Sequence, residues 1–451
     1  MPKKCTRRTV VLSLAALLAI LAGCGPAAPS SEAGASSPLP VMSVPEVRPS
    51  AEPTGFAGTF YVAAMVDLGV LEARSYVRNA VKTHAEAGVN CLLWWAEKSL
   101  YVEEFLEECA KYGISAILMD NDGVTGAGDQ YAAITQAEFS EAVAPYLDNP
   151  QVLGFSNWDE PLHEEPYYEM MKQRQDWMHE ADPDSLSFIN LLPSYGPYTW
   201  GNGLWKEMAD TLIDQVDPDV LAVDYYEYAV SGPTPDWDRS FLWRDLGYLR
   251  KRAMETDKPL WFYFQGSDYD GKAGEMTAGR LRLQMNAGLA YGCRWLCYWT
   301  SSGAITDREG RPTARFDEVR TINAQVTAAG RYLLGMQPGE LHHAGLSPKP
   351  DSNQTLGDLY FCSRLDDSAV FTALPDAPLI LSTFTDAAGR TVVAAVNRQD
   401  REPLQTAVPL KTARRVSRPD LEAGGEILLG EALDTLPVDL LPGGLALYIL
   451  E

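Results

Sequence analysis

From Phe56 onward the apolar positions fall into a repeating cadence: a short run rich in branched and aromatic side chains, a polar turn, then a stretch of helical period. The runs cover Gly58 to Met65, Val89 to Trp95, Ile114 to Met119, Val152 to Trp158, Leu186 to Leu192, Val220 to Tyr226, Leu260 to Gln265 and Cys293 to Thr300. Between them lie apolar stripes. Val102, Phe105, Leu106, Cys109 and Ala110 share one helical face that stops at Gly113, and Ala73, Val77, Ala80, Val81 and His84 share another that stops at Gly88. Thr135 with Glu138 predicts a capping box, while Tyr167, Met171, Arg174 and Met178 mark the packing face of a later helix. His84 and His179 are expected on solvated helix faces, where neither makes a good ligand.

This alternation over residues 56–336 predicts an α/β fold, a (β/α)8 TIM barrel, a fold that takes about 250 residues. The competitor is an open doubly wound sheet, which would carry a glycine-rich phosphate turn after its first strand. Met65-Val66-Asp67-Leu68-Gly69 offers a single glycine there, so no nucleotide site is indicated. After Gly335 the period shortens. Leu359 to Cys362, Leu379 to Phe384, Thr391 to Val396, Glu426 to Leu429 and Ala446 to Leu450 read as strands between polar turns, which predicts a small all-β sandwich over residues 340–451.

The start of the chain has a different build. Lys3, Lys4, Arg7 and Arg8 precede an apolar run from Val10 to Ala22, and Leu21-Ala22-Gly23-Cys24 follows. This resembles a bacterial lipoprotein signal, which implies cleavage of residues 1–23, acylation of Cys24 and attachment to the cell membrane, facing outside the cytoplasm. Residues 24–55, rich in Ala, Ser, Pro and Glu, cannot bury a core and read as a disordered tether. The membrane is then a partner only through the lipid.

A formal charge of -24 disfavours phosphate backbones, so nucleic acid is not an expected partner. Loss of the signal removes four cations and no acids, so the exported part is more acidic still. Seven Cys without a dense spacing and five His argue against a disulfide framework or a metal site, and no cofactor is implied. Asp120-Asn121-Asp122-Gly123 has the start of a calcium loop but not its later ligands, and reads as a strand-end turn.

In a barrel of this kind the site forms where the strands end. Those ends read Asp67; Trp94-Trp95-Ala96-Glu97-Lys98; Asp120-Asn121-Asp122; Asn157-Trp158-Asp159-Glu160-Pro161; Asn190 and Tyr195; Asp224-Tyr225-Tyr226-Glu227; Gln265-Gly266-Ser267-Asp268; and Tyr298-Trp299-Thr300-Ser301. Sugar rings offer C–H faces to aromatics and hydroxyls to acids and amides, whereas phosphates call for Lys, Arg and glycine turns. A carbohydrate is the expected ligand, with Trp94, Trp95, Asn157, Tyr226, Glu227, Gln265, Asp268 and Trp299 as candidate contacts.

Asn157-Trp158-Asp159-Glu160-Pro161 resembles the strand-four motif of the clan A glycoside hydrolases, including families 42 and 5, in which Asn-Glu-Pro carries the acid/base. The resemblance implies that Glu160 is the general acid/base, with Asp159 standing where the clan has Asn, and extends to Tyr226, Trp299 and the barrel-plus-β layout. It breaks at strand seven. The clan places its nucleophilic Glu at that strand's end, and here Phe264-Gln265-Gly266 has an amide, which cannot act as a carboxylate nucleophile. Three readings follow: a hydrolase whose second carboxylate comes from elsewhere, Asp224 before Glu227 or Asp268; a substrate-assisted hydrolase using Asp159 and Glu160, like the family 20 hexosaminidases; or a glycan-binding protein that has lost hydrolysis.

Overall fold

The computed structural model describes residues 56–67, 74–95, 101–119, 134–199, 203–346 and 361–451. The signal, Cys24, the tether and the Asp120 to Gly123 turn lie outside the described residues. Eight strands, β1 (Tyr61–Asp67), β2 (Cys91–Trp95), β3 (Ser115–Met119), β4 (Val152–Asp159), β5 (Leu186–Leu191), β6 (Leu221–Tyr225), β7 (Leu260–Gln265) and β8 (Cys293–Trp299), pair in parallel in chain order. β8 pairs back on β1, which closes the barrel.

The helices around it are α1 (Arg74–Glu86), α2 (Val102–Tyr112), α3 (Gln136–Leu147), α4 (Glu165–Ala181), α5 (Leu204–Thr211), α6 (Glu227–Ser231), α7 (Leu242–Thr256), α8 (Ala278–Ala290) and α9 (Phe316–Leu333). Their boundaries follow local chemistry. Thr135 and Glu138 bond reciprocally to open α3, and Gly113, in the left-handed region at φ 65, closes α2. Val102, Phe105, Leu106 and Cys109 are buried on the face of α2 that meets the barrel, each large side chain worth about 2 kcal/mol of removed apolar surface.

Strand parity divides the apolar residues into two cores. Tyr61, Ala63, Cys91, Leu93, Ile117, Phe188, Ala222, Trp261, Tyr263, Trp295 and Cys297 fill the interior of the barrel. The alternate residues, among them Val62, Leu92, Trp94, Phe155, Val223, Phe262 and Leu296, face the helices. Counting two residues along from the inner set reaches Asn190 on β5, Asp224 on β6, Gln265 on β7 and Trp299 on β8, all at the carboxyl end. The five cysteines among the described residues are free thiols, and four of them are buried.

After α9 the chain forms β9 (Gln337–Ala344), β10 (Leu379–Thr385), β11 (Thr391–Asn397), β12 (Leu404–Pro419), β13 (Glu426–Leu440) and β14 (Leu445–Leu450), one antiparallel sheet in the order β13-β12-β14-β11-β10-β9. Register shifts between Pro409 and Ser417 bend the β12–β13 hairpin. Val408, Leu410, Leu436 and Val438 of the bent part share a core with Leu379, Leu381, Val393 and Tyr448 of the flat part, and Tyr448 Oη donates to the Pro437 carbonyl. One sheet thereby supplies both walls of its own core.

Three local expectations are corrected. Residues 361 and 362 form a turn and a loop rather than the end of a strand, whereas β9 and the long β12 carry no compact apolar run to announce them. His84 is not on a solvated face: it is 1% exposed, its Nδ1 bonds the Ala80 carbonyl, and its Nε2 lies 2.8 Å from Ser301 Oγ. Burial lowers its pKa to about 4, so the ring is neutral and holds the turn after β8.

Candidate active site

β4 carries an irregularity that sets the site. Its register on β5 shifts between Ser156 and Trp158, and Asn157 and Trp158 consequently both face α4. Asn157 donates to the Met171 carbonyl (2.8 Å) and to Ser187 Oγ (3.0 Å), and Trp158 lies under the Arg174 guanidinium, 5.1 Å from its ring. Asp159 is thereby returned to the inner face. Glu160 follows with φ 49, a left-handed conformation costly for a residue with a side chain, and its N–H donates to the Asn190 carbonyl at 3.0 Å.

Three carboxyls meet here. Asn190 Nδ2 donates to Asp159 Oδ1 at 3.1 Å and to Asp224 Oδ1 at 3.2 Å, so one amide group holds one oxygen of each. Asp224 and Glu160 lie close enough for each to act on the other's carboxyl, in the sense that raises Asp224 and lowers Glu160. The protein packed around Glu160, and next the charge of Asp159, push its carboxyl up to about 7, although one side of the residue remains exposed to solvent. Burial raises Asp159 against the opposing Asn190 bond, and burial with the charges of Glu160 and Asp159 raises Asp224 well above the carboxylate range. Trp158, on the helix side of β4, is not among these causes.

Aromatics stand around the cluster. Tyr226 and Trp299 are near-parallel with centroids 6.2 Å apart, Tyr269 meets both edge-on at 5.8 and 6.4 Å, and all three are half-buried. Tyr195, also half-buried, feels the charges of Asp224 and Glu160. Tyr269 has no signal in the sequence, because it sits in a loop without period. Asn190 and Tyr195 show at a strand end, but nothing in the sequence marks the amide as a bridge.

The other candidates lie apart from the acids. Trp94 is fully buried and stacks on Phe105 at 4.1 Å, facing α2 and not the mouth. Trp95 ends β2, and its side chain lies outside the described residues. Glu227, 3% exposed, accepts from the hydroxyls of Ser231 and Ser240. Gln265 is fully buried. Its Oε1 accepts from Ala229 N (2.9 Å), its Nε2 donates to the Ser267 carbonyl (3.0 Å), and its backbone pairs with the Gln284 side chain. It therefore ties α6 to the turn after β7. Asp268 is exposed and accepts from Ala273 N within its own loop. Gly266 lets that turn approach β8: a Cβ there would lie 2.4 Å from the Thr300 carbonyl oxygen, and its N–H donates to Trp299 O.

No family model matches the chain, and no curated protein matches its sequence. Solved structures do share its fold. Two of them are a candidate α-galactosidase and a candidate α-galactosidase/melibiase, both from Bacteroides fragilis, with TM-scores of 0.53 and 0.50. Each is 11% identical over 88% of this chain and 80% of its own. The common property is a closed eight-stranded α/β barrel, here followed by the six-stranded sheet.

Proposed function

We propose that the protein is a glycoside hydrolase in which Glu160 is the general acid/base and Asp224 the second carboxylate, acting on a neutral glycan outside the cytoplasm. The observation that carries this reading is the convergence of Asp159, Glu160 and Asp224 around Asn190 at the carboxyl ends of the strands, where burial and the charge of Asp159 push Glu160 up to about 7. A carboxyl in that range can donate its proton to the glycosidic oxygen as the C1–O bond breaks, and then accept one as water completes hydrolysis. Tyr226, Tyr269 and Trp299 provide flat faces for the sugar, and the acids provide acceptors for its hydroxyls. The barrel shared with the two Bacteroides structures supports the class of reaction.

The adjacent pair Asp159 and Glu160 favours a second reading as well. A direct displacement by a protein carboxylate uses a separation of about 5 to 5.5 Å, and inversion uses more. A substrate-assisted reaction needs no second protein carboxylate as nucleophile: a 2-acetamido group supplies it, and Asp159, held on the inner face by Asn190, orients that group. The test is release of nitrophenol from aryl glycosides. Glu160→Gln should lower kcat/KM by about a hundredfold or more on activated leaving groups and further on poor ones. Substrates with and without the acetamido group separate the two readings: equal rates remove the assisted one. A variant within a few-fold of wild type removes Glu160 as the acid. Glycan binding without any release leaves the third reading, a glycan-binding protein.

Location belongs to the same proposal. The Leu21-Ala22-Gly23-Cys24 segment supports lipid anchoring at the outer face of the cell membrane. Labelled palmitate should enter the wild-type chain and not Cys24→Ser; equal labelling of both would refute the anchor.

A further inference from the structure

In and beside the acid cluster lie buried polar atoms that no hydrogen bond of the fold satisfies. Asp224 and Tyr263 are register partners on β6 and β7, both pointing into the barrel, as Asp159 and Asn190 are on β4 and β5. Asn190 is in register with Ala222, two residues before Asp224, and its side chain reaches along the barrel to Asp224 Oδ1, so the two pairs are offset but joined through the Asn190 amide. Tyr263 is 2% exposed, and Asp224 is 1% exposed. Among the described residues, the Tyr263 hydroxyl, Asp224 Oδ2, Asn190 Oδ1 and the hydroxyl of Ser156 are all buried without a hydrogen-bond partner.

A single orphaned buried hydroxyl is costly, by about 1 to 3 kcal/mol. Here four buried polar atoms, two of them hydroxyls, lack a partner at inner positions of β4 to β7, and bridging water, which takes two to four polar partners, would satisfy them. They include one strong donor and two strong acceptors. A phenol O–H, Asp224 Oδ2 and the amide oxygen of Asn190 can be satisfied together by bridging water.

We infer that Tyr263 is a positioning residue for the acid cluster: its hydroxyl donates through buried water to Asp224 Oδ2 and so favours keeping Asp224 ionised and the proton on Glu160. This rests on the hydrolase reading of the mouth and assigns a role to a side chain that reading leaves unused. The consequence is directional. Asn190 already donates to Asp224 Oδ1. A second donor on Oδ2 stabilises Asp224 as a carboxylate and leaves Glu160 the proton donor, the form that leaving-group protonation requires.

The groups whose charge bears on Asp224 and Tyr263 are Asp159 at the end of β4 and Glu160 just after it, Tyr195 after β5, Tyr226 after β6, Tyr269 after β7, Cys297 from β8 and Cys91 from β2. All are acids, and burial raises the thiols and phenols, so none of them supplies a positive charge that could replace the proposed donor.

Infrared titration of the whole exported chain tests this without a substrate, by following the C=O stretch of protonated carboxyls. Glu160→Gln and Asp224→Asn assign the band. Tyr263→Phe keeps the ring that packs on Trp295 and Phe188 and should move the Asp224 part of the titration up by about one pH unit. In an Asp224→Asn background the same change should leave the Glu160 midpoint within experimental error. An unmoved titration in the first background, or an equal shift in both, overturns the inference. If the shift occurs but no glycoside is cleaved by the wild-type chain, the hydrolase reading fails while Tyr263 keeps its place in the acid cluster.

Discussion

Two polar clusters in this chain treat charge in opposite ways. Where the sheet meets the barrel, Arg398 is fully buried, yet it donates to the carbonyls of Ala344 (2.9 Å) and Leu379 (3.1 Å) and to Asp238 (2.8 Å). Nearby, Asp400 accepts from Tyr228 Oη at 2.8 Å, with Arg280 3.6 Å away and lying over the Tyr228 ring. Every buried charge there has an opposite charge or a set of dipoles. At the carboxyl ends of β4 and β6, Asp159 and Asp224 share one neutral amide, with Glu160 beside them. The first cluster is an adhesive. In the second, uncompensated carboxyls retain protons at pH values where carboxylates normally lose them, which is the condition for acid catalysis.

The largest expected effect comes from removing a charge at the junction. Arg398→Met keeps much of the stem but leaves two buried carbonyls and Asp238 without their donor, which should cost about 3 kcal/mol in urea unfolding. Because Arg398 joins β9 and β10 to the loop before α7, the loss should fall on the whole transition and not on the sheet alone. A variant within about 0.5 kcal/mol of wild type would show that the junction is held by apolar packing, and the contrast between the clusters would lose one side.

Much of this contrast was legible in the sequence, and the parts that were not share a cause. Alternating runs and stripes revealed the barrel because each strand and helix buries one face, and the acids Asp159, Glu160 and Asp224 could be found by looking where runs end. Face was harder to read than position. Of the two tryptophans that end the second run, Trp94 falls by strand parity on the helix side and stacks on Phe105. The bulge in β4 turned Asn157 the same way, and no residue type announces a bulge. Gln265 looked like a lost nucleophile but is a fully bonded tie between α6 and the strand-seven turn. The long β12 was missed for another reason: much of it is exposed, so Gln405, Lys411, Arg414 and Arg415 interrupt any apolar run. His84 and Tyr263 sat inside ordinary stripes. Their partners, Ser301 and the acid cluster, are distant in sequence, and only the closed barrel brings them near.

The smaller effect sharpens the contrast from the other cluster, and its sign is the informative part. Glu160 has a folded pKa of about 7 against an ordinary value of 4.5, so between those limits the folded state holds a proton that the unfolded chain releases. Stability associated with this group is therefore fully present below pH 4.5 and is lost as pH rises through about 7. Glu160→Gln fixes the side chain in a neutral form that resembles the protonated acid. Its melting temperature should match wild type near pH 5 and exceed it by a few degrees near pH 8, while the activity is lost. Removing a charge would then weaken the protein at Arg398 and strengthen it at Glu160. If Glu160→Gln instead melts below wild type at the higher pH, the carboxylate is stabilised in the folded state, its pKa is not raised, and the mouth is compensated by groups that the described residues do not include.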